Sequence, residues 1–164
     1  MNTPELYEFL NSNKIKYERH DHPAVFTCEE AKQLVKIDVG ADTKNLFLRD
    51  KKGQRHFLVV VGYEKSVELS KLAAHLDTKK LSMASSERLD RFLGVSPGSV
   101  SLLALVNDTE TQVELIIDQS IWKAEFVRCH PLINTSTLVL SQEDLRRFFE
   151  KTEHVAKILD IPGR

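Results

Sequence analysis

The sequence predicts a mixed α/β fold of the α+β kind, a single domain over residues 1–164 with a mixed, largely antiparallel sheet and peripheral helices. Three observations predict it. Most successive strand-like runs are joined by turns rather than helices. One run, QRHFLVVVG (54–62), has almost no polar alternation and reads as a central strand covered on both faces. The length of 164 residues suits one hydrophobic core and barely leaves room for a second.

Taken in order, a first helix starts with Thr3 as N-cap and Pro4 at the first helical position, carries Leu6, Phe9 and Leu10 at helical spacing, and ends near Asn13. Ile15 to His20 alternates like a strand. After His22-Pro23 a capping box of Thr27 and Glu30 opens a second helix, Thr27 to about Lys36. TKNLFLRD (43–50) and QRHFLVVVG form a hairpin through Lys51-Lys52-Gly53, where glycine supplies a positive φ. Ser70 to Leu76 and Ser85 to Leu93 read as short helices around a strand, Lys80 to Ala84, and Gly94 stops the second of them before the loop VSPGS. Ser101 to Val106, Gln112 to Ile117 and Glu125 to Cys129 read as strands, broken at His130-Pro131. The run TSTLVL leads to Ser141, which caps a helix from Gln142 to about Thr152, and an apolar segment HVAKILDI follows.

Composition narrows the function classes. With 23 basic and 24 acidic residues the net charge is −1, so no global field holds a polyanion, and a nucleic acid must be recognised locally; DNA is not an expected partner. No stretch approaches the roughly 18 apolar residues of a membrane span, and the N-terminus has no signal-peptide core, so a soluble cytoplasmic protein is expected. The two cysteines, Cys28 and Cys129, lie far apart without a CxxC or Cys/His cluster, which excludes a disulfide scaffold and a zinc ribbon. The phosphate fingerprints GxGxxG and GxxxxGK[ST] are both missing. No metal and no cofactor are expected.

The chemically suggestive residues are few. His20 and His22 share one strand face as a possible metal pair, but no third ligand follows at a recognisable spacing. Cys129 and His130, as neighbours on an extended strand, point to opposite faces and cannot work as nucleophile and base. Cys28, in the first turn of a helix, is more simply a packing residue. Lys44 opens an apolar strand on the face of Leu46 and Leu48, where a cation needs a partner, a ligand or an escape to solvent. His130 and Asn134 flank a rigid turn that either presents polar groups or caps itself. Lys51, Lys52, Arg55, Lys79 and Lys80 could touch phosphates, though in a near-neutral protein such runs are more often solvated turns.

Three segments, TKNLFLRDKKG, LGVSPGSVSLLALVND and CHPLINTSTLVLS, together resemble in order and spacing the editing-domain family associated with prolyl-tRNA synthetase, the YbaK-type aminoacyl-tRNA deacylases. The resemblance extends from about Thr3 to Phe149 and is nearest to the free-standing deacylases that remove alanine from mischarged tRNA(Pro). Cys129 stands where related sequences often have an aromatic residue, and Ser136 where alanine is common. The resemblance implies hydrolysis of an aminoacyl ester at the tRNA acceptor end, without a protein nucleophile. It places Lys44 and the amides of Gly98 and Ser99 in the catalytic set. Asn45, Gly94, Pro97, His130, Asn134 and Thr135 are expected to line the substrate pocket, with Lys51, Lys52, Arg55, Lys79 and Lys80 on the tRNA. It also implies tRNA(Pro) charged with alanine as partner and a transient contact with prolyl-tRNA synthetase. A Cys-tRNA(Pro) deacylase and a noncatalytic acceptor-end binding module are the alternatives.

Overall fold

The computed structural model describes residues 1–24 and 39–164; the expected helix Thr27 to Lys36, with Cys28, lies outside them. The described elements are α1 (Thr3–Ser12), β1 (Glu18–Asp21), β2 (Thr43–Asp50), β3 (His56–Gly62), α2 (Leu69–His75), β4 (Leu81–Met83), α3 (Ser86–Leu93), two 3-10 turns (Pro97–Ser99 and Leu102–Asn107), β5 (Val113–Asp118), α4 (Gln119–Trp122), β6 (Phe126–Cys129), β7 (Ser136–Ser141), α5 (Gln142–Lys151) and β8 (Lys157–Leu159).

The strands form two sheets. One has the order β1-β7-β6 and is antiparallel throughout. The other has the order β4-β2-β3-β5-β8, antiparallel from β4 to β3 and parallel from β3 to β8. This is the mixed sheet expected, with β3 at its centre and six of its seven residues buried. Side chains alternate along β3 between two cores. Leu58 and Val60 face the larger core, shared with the small sheet (Val127, Cys129, Leu138, Leu140), α1 and α5. Phe57, Val59 and Val61 face a smaller core under α2, with Leu72, Leu76 and Ile161.

Local chemistry accounts for most boundaries. The hairpin turn forms because Gly53 takes φ +69° and the Asp50 carboxylate accepts from Gln54 N–H at 2.8 Å and Arg55 N–H at 3.1 Å. Ser85 and Ser141 cap α3 and α5, accepting from Arg88 N–H and Asp144 N–H. The α1 cap differs from expectation by one residue. Asn2, not Thr3, makes the capping box with Glu5, and the Thr3 hydroxyl instead donates to Pro131 O at 2.8 Å. The first strand begins at Glu18 rather than Ile15, because Lys14 at φ +58° turns the chain out of α1 and buries Ile15 in the core.

One expected strand is a helix. Leu102–Asn107 is a 3-10 turn, with Ser101 accepting from Leu103 N–H. All five apolar residues from Leu102 to Val106 are buried. A continuous apolar run carries no period that separates a buried strand from a buried helical turn, so only the packing decides. Among the described residues no helix is long and apolar enough to cross a membrane.

Candidate functional site

The two sheets meet at a seam just ahead of β2. Ala41 forms a parallel bridge with Val127, its N–H donating to Phe126 O at 2.9 Å and its carbonyl accepting from Arg128 N–H at 3.1 Å. Two residues on, the Thr43 hydroxyl donates to Arg128 O at 2.8 Å. The chains therefore advance together, and the residues that follow are Lys44 and Asn45 on one and His130 on the other. Segments 86 residues apart are thus brought level (Lys44 to His130).

Lys44 and Asn45 part ways across β2. Lys44 is paired with Val61 and shares its side with the smaller core, whereas Asn45 is paired with Val60 and shares the side of Phe47 and the larger core. Lys44 is partly buried and has no ion-pair partner among the described residues. The Asn45 side-chain oxygen is buried with no hydrogen-bond partner among the described residues. A buried amide oxygen without a donor is able to accept a hydrogen bond from a bound group.

His130 follows β6 and is partly buried. Its Nδ1 lies 3.1 Å from Ser136 O, which fixes Nδ1 as the donating nitrogen and leaves Nε2 to accept. Burial pulls its pKa below the ordinary histidine value; the bond to Ser136 and the Asp42 charge oppose this, and neighbouring His22 adds to it. His130 is therefore a neutral acceptor at neutral pH. The turn after it is anchored by Thr3 on Pro131 O and by His22 N–H on Thr135 O at 3.0 Å, with Leu132 at φ +69°. Asn134 is partly buried and Thr135 exposed within that turn.

The Gly94–Ser99 loop packs Val95 and Val100 on the larger core, the side of β2 that Asn45 shares. Gly94 ends α3 at φ +65°, and a Cβ there would come within 2.9 Å of Asn107 Nδ2, so its role is structural. Pro97 is exposed and Gly98 partly buried. The expected pair of loop amide donors is reduced by one: Ser99 N–H already donates to Ser96 O at 2.9 Å, closing the 3-10 turn. Gly98 N–H has no acceptor among the described residues.

The basic residues divide. Lys51, Lys52, Lys79 and Lys80 are exposed, and the pairing of Asp50 with Leu81 sets the two lysine pairs side by side. They stand at the far end of β2 from Lys44, about 23 Å away at a strand rise of ~3.3 Å. Arg55, expected beside them on phosphate, is committed internally. Its fork makes two bonds to Glu114, at 2.9 and 2.8 Å, and a third nitrogen donates to Leu76 O.

Cys129 is buried in the larger core, with burial pushing its thiol far above the ordinary range, so it is inert packing. The His20-x-His22 pair is dispersed. His20 Nε2 lies 2.8 Å from Glu18 Oε1, and both His22 nitrogens are taken, by Pro23 O at 2.9 Å and Thr137 Oγ1 at 2.8 Å. Among the described residues no group of three His, Cys, Asp or Glu side chains is arranged to hold a metal. Two residues beside the site had no sequence signal: Arg128, which binds the segment entering β2, and Asp42, which pairs with Arg128 and whose charge is felt at His130.

Residues 22–148 match the model of the aminoacyl-tRNA editing domain. A protein of Acetoanaerobium sticklandii described as prolyl-tRNA editing protein ProX is 35% identical over 152 residues, covering 93% of each chain. A Danio rerio protein described as prolyl-tRNA synthetase associated domain-containing protein 1 is 39% identical over 159 residues, 96% of this chain and 86% of its own. A solved structure provisionally described as a trans-editing enzyme for prolyl tRNA synthetase superposes with TM-score 0.74 over 100% of this chain and 99% of that one, at 18% identity, a likeness of fold.

Proposed function

Because the chain belongs to the aminoacyl-tRNA editing-domain family, we propose that it hydrolyses, in trans, the aminoacyl ester of mischarged Ala-tRNA(Pro). The observation that carries this reading is the buried Asn45 oxygen, without a partner among the described residues, on the side of the glycine-proline loop and next to Lys44, which lies level with His130. An aminoacyl ester brings the missing donor, its α-ammonium group.

In this mechanism water adds to the ester carbonyl, the bond to the ribose oxygen breaks, and that oxygen takes a proton to restore the 3′ end. Lys44 starts on the other side of β2 from Asn45 and the loop, and its flexible stem carries the ammonium round the edge of β2 that β4 leaves unpaired, where it neutralises the charge developing on the carbonyl oxygen, with Gly98 N–H as the loop's contribution. Neutral His130 accepts through Nε2 from a ribose hydroxyl or from the water. Pro97, Asn134 and Thr135 bound the pocket. The ester is already activated, so positioning and charge stabilisation suffice without a covalent intermediate. The variant carrying Cys28→Ser and Cys129→Ser keeps its hydrolysis rate, and mass spectrometry of the quenched reaction finds no aminoacyl thioester; a trapped thioester would refute this mechanism.

The purpose is a size sieve. A synthetase pocket built for proline rejects the smaller alanine poorly, and a second pocket that admits only small side chains supplies the discrimination. Lys51, Lys52, Lys79 and Lys80 grip acceptor-stem phosphates, and the preference for tRNA(Pro) over tRNA(Ala) comes from the few base edges they reach from there. Transient contact with the synthetase belongs to the same reading, supported by the description of the Danio rerio relative as prolyl-tRNA synthetase associated.

The deciding experiment charges tRNA(Pro) with alanine, serine, glycine, cysteine or proline, and tRNA(Ala) with alanine. Alanine on tRNA(Pro) is cleaved fastest. Serine and glycine esters follow, since a hydroxyl or a methyl is worth only about 1–3 kcal/mol. Proline is slow, because overpacking a closed pocket costs about 1–3 kcal/mol. A cysteine preference assigns the chain to Cys-tRNA(Pro), a proline preference removes the editing role, and binding without cleavage makes it an acceptor-end module.

A further inference from the structure

Lys44 and His130 belong to different sheets, so their spacing depends on the joint between those sheets. Beyond the shared larger core, the hydrogen bonds of that joint among the described residues centre on one residue. Arg128, on β6, donates from Nε to Val39 O at 2.9 Å and from Nη1 to the Asp42 carboxylate at 3.0 Å. Its backbone N–H and carbonyl hold Ala41 and Thr43. Four of the five residues from Val39 to Thr43 are thereby bonded to Arg128. The fifth, Gly40, has φ +97° and lies so close that a Cβ would meet Arg128 Cγ at 3.1 Å.

The side chain is only 16% exposed, and the charge of the Asp42 carboxylate that it holds is felt at His130. Two residues after Arg128 comes His130, and one residue after the clamped segment comes Lys44. A planar guanidinium suits this place because one rigid fork serves a carbonyl and a carboxylate at once, which an ammonium cannot do. We propose that Arg128, with Asp42, is a positioning residue that sets Lys44 and Asn45 against His130 across the seam between the sheets. This rests on the deacylase reading above, and its action is on geometry rather than on substrate.

A misplacement of about 1 Å by a change remote from the reacting atoms costs on the order of 100-fold in rate. The Arg128→Met variant therefore loses about 100-fold in kcat with little change in KM, and Arg128→Lys recovers only a part of it. Asp42→Ala follows Arg128→Met, and Asp42→Asn, which keeps an oxygen for Nη1, retains more.

The test is a double-mutant cycle with Lys44→Ala, together with amide hydrogen exchange. If Arg128 works through Lys44, adding Arg128→Met to Lys44→Ala causes no further loss. Exchange over residues 39–45 rises at least tenfold in Arg128→Met while the β3 amides stay protected. Additive losses, wild-type kcat in folded Arg128→Met, or unchanged exchange at residues 39–45 each overturn the proposal while leaving Lys44 and the deacylase reading in place. Should Arg128→Met not fold, the same cycle is run with Asp42→Ala and read in the same way. Absence of deacylation by the wild-type protein defeats the functional reading instead, and the exchange measurement still decides whether Arg128 braces the seam.

Discussion

Replacing Lys44 with alanine lowers single-turnover deacylation of Ala-tRNA(Pro) by about 100- to 1,000-fold, the range lost when one preorganised charge-stabilising donor is removed. The fold survives the change. Lys44 is only partly buried, at the first turn of the β2 ladder, and no carboxylate among the described residues is left unpaired by its removal. Circular dichroism and the unfolding midpoint stay near wild type. Lys44→Arg restores little, because a broad planar fork does not replace a compact ammonium at the same reach. Near wild-type turnover in folded Lys44→Ala removes Lys44 from the mechanism.

Replacing Asp108 with alanine destabilises the whole protein by about 3–5 kcal/mol, the usual effect of removing one partner from a buried pair. Its carboxylate, with a side chain 3% exposed, faces His154 Nε2 at 2.9 Å and accepts from Gln112 N–H at 3.0 Å and Val113 N–H at 2.8 Å. It thus ties the turn before β5 to the chain after α5, and alanine leaves the donors buried without an acceptor. Asp108→Asn keeps an oxygen for one of the two amides and costs less. Burial alone would raise the Asp108 pKa, but the bonds from His154, Val113 and Gln112 outweigh it and hold the carboxyl below the ordinary range.

A depressed carboxyl contributes stability that is fully present above its unfolded pKa, about 3.9, and is lost as pH falls through the lower folded value. Wild-type stability measured by urea unfolding therefore declines below about pH 4, and Asp108→Asn flattens that decline. An Asp108→Ala midpoint within 1 °C of wild type would contradict the account, since a loss of this size shifts the melting temperature by on the order of 10 °C.

Much of the architecture was legible because it is written in short-range chemistry. The Lys51-Lys52-Gly53 hairpin, the Ser85 and Ser141 caps, the Gly94 stop and the fully apolar β3 each depend on residues a few positions apart. Where one short-range signal competed with another, the reading slipped. Asn2 took the cap from Thr3, whose hydroxyl found Pro131, and the apolar run Leu102 to Val106 became a 3-10 turn. The candidate site was legible only as residue identities. Lys44, Asn45, Gly98 and His130 were singled out by strand patterning and by resemblance, but Arg55 and the Ser99 amide were equally plausible until Glu114 and Ser96 were seen to occupy them.

The residues alone, then, established most of the strands and caps, the central strand, the family and the set of polar groups worth testing, because periodicity, capping and motif spacing are properties of neighbouring positions. Tertiary structure decided which of those groups share a side of β2, which are already committed, and how Lys44 comes level with His130. Those outcomes rest on pairings between distant segments, Ala41 with Val127, Arg128 with Asp42, His154 with Asp108, whose energies depend on burial and on the meeting of two sheets. No local pattern encodes them, since Asp42 and Arg128 would read as ordinary surface charges in any sequence window that contains only one of the two.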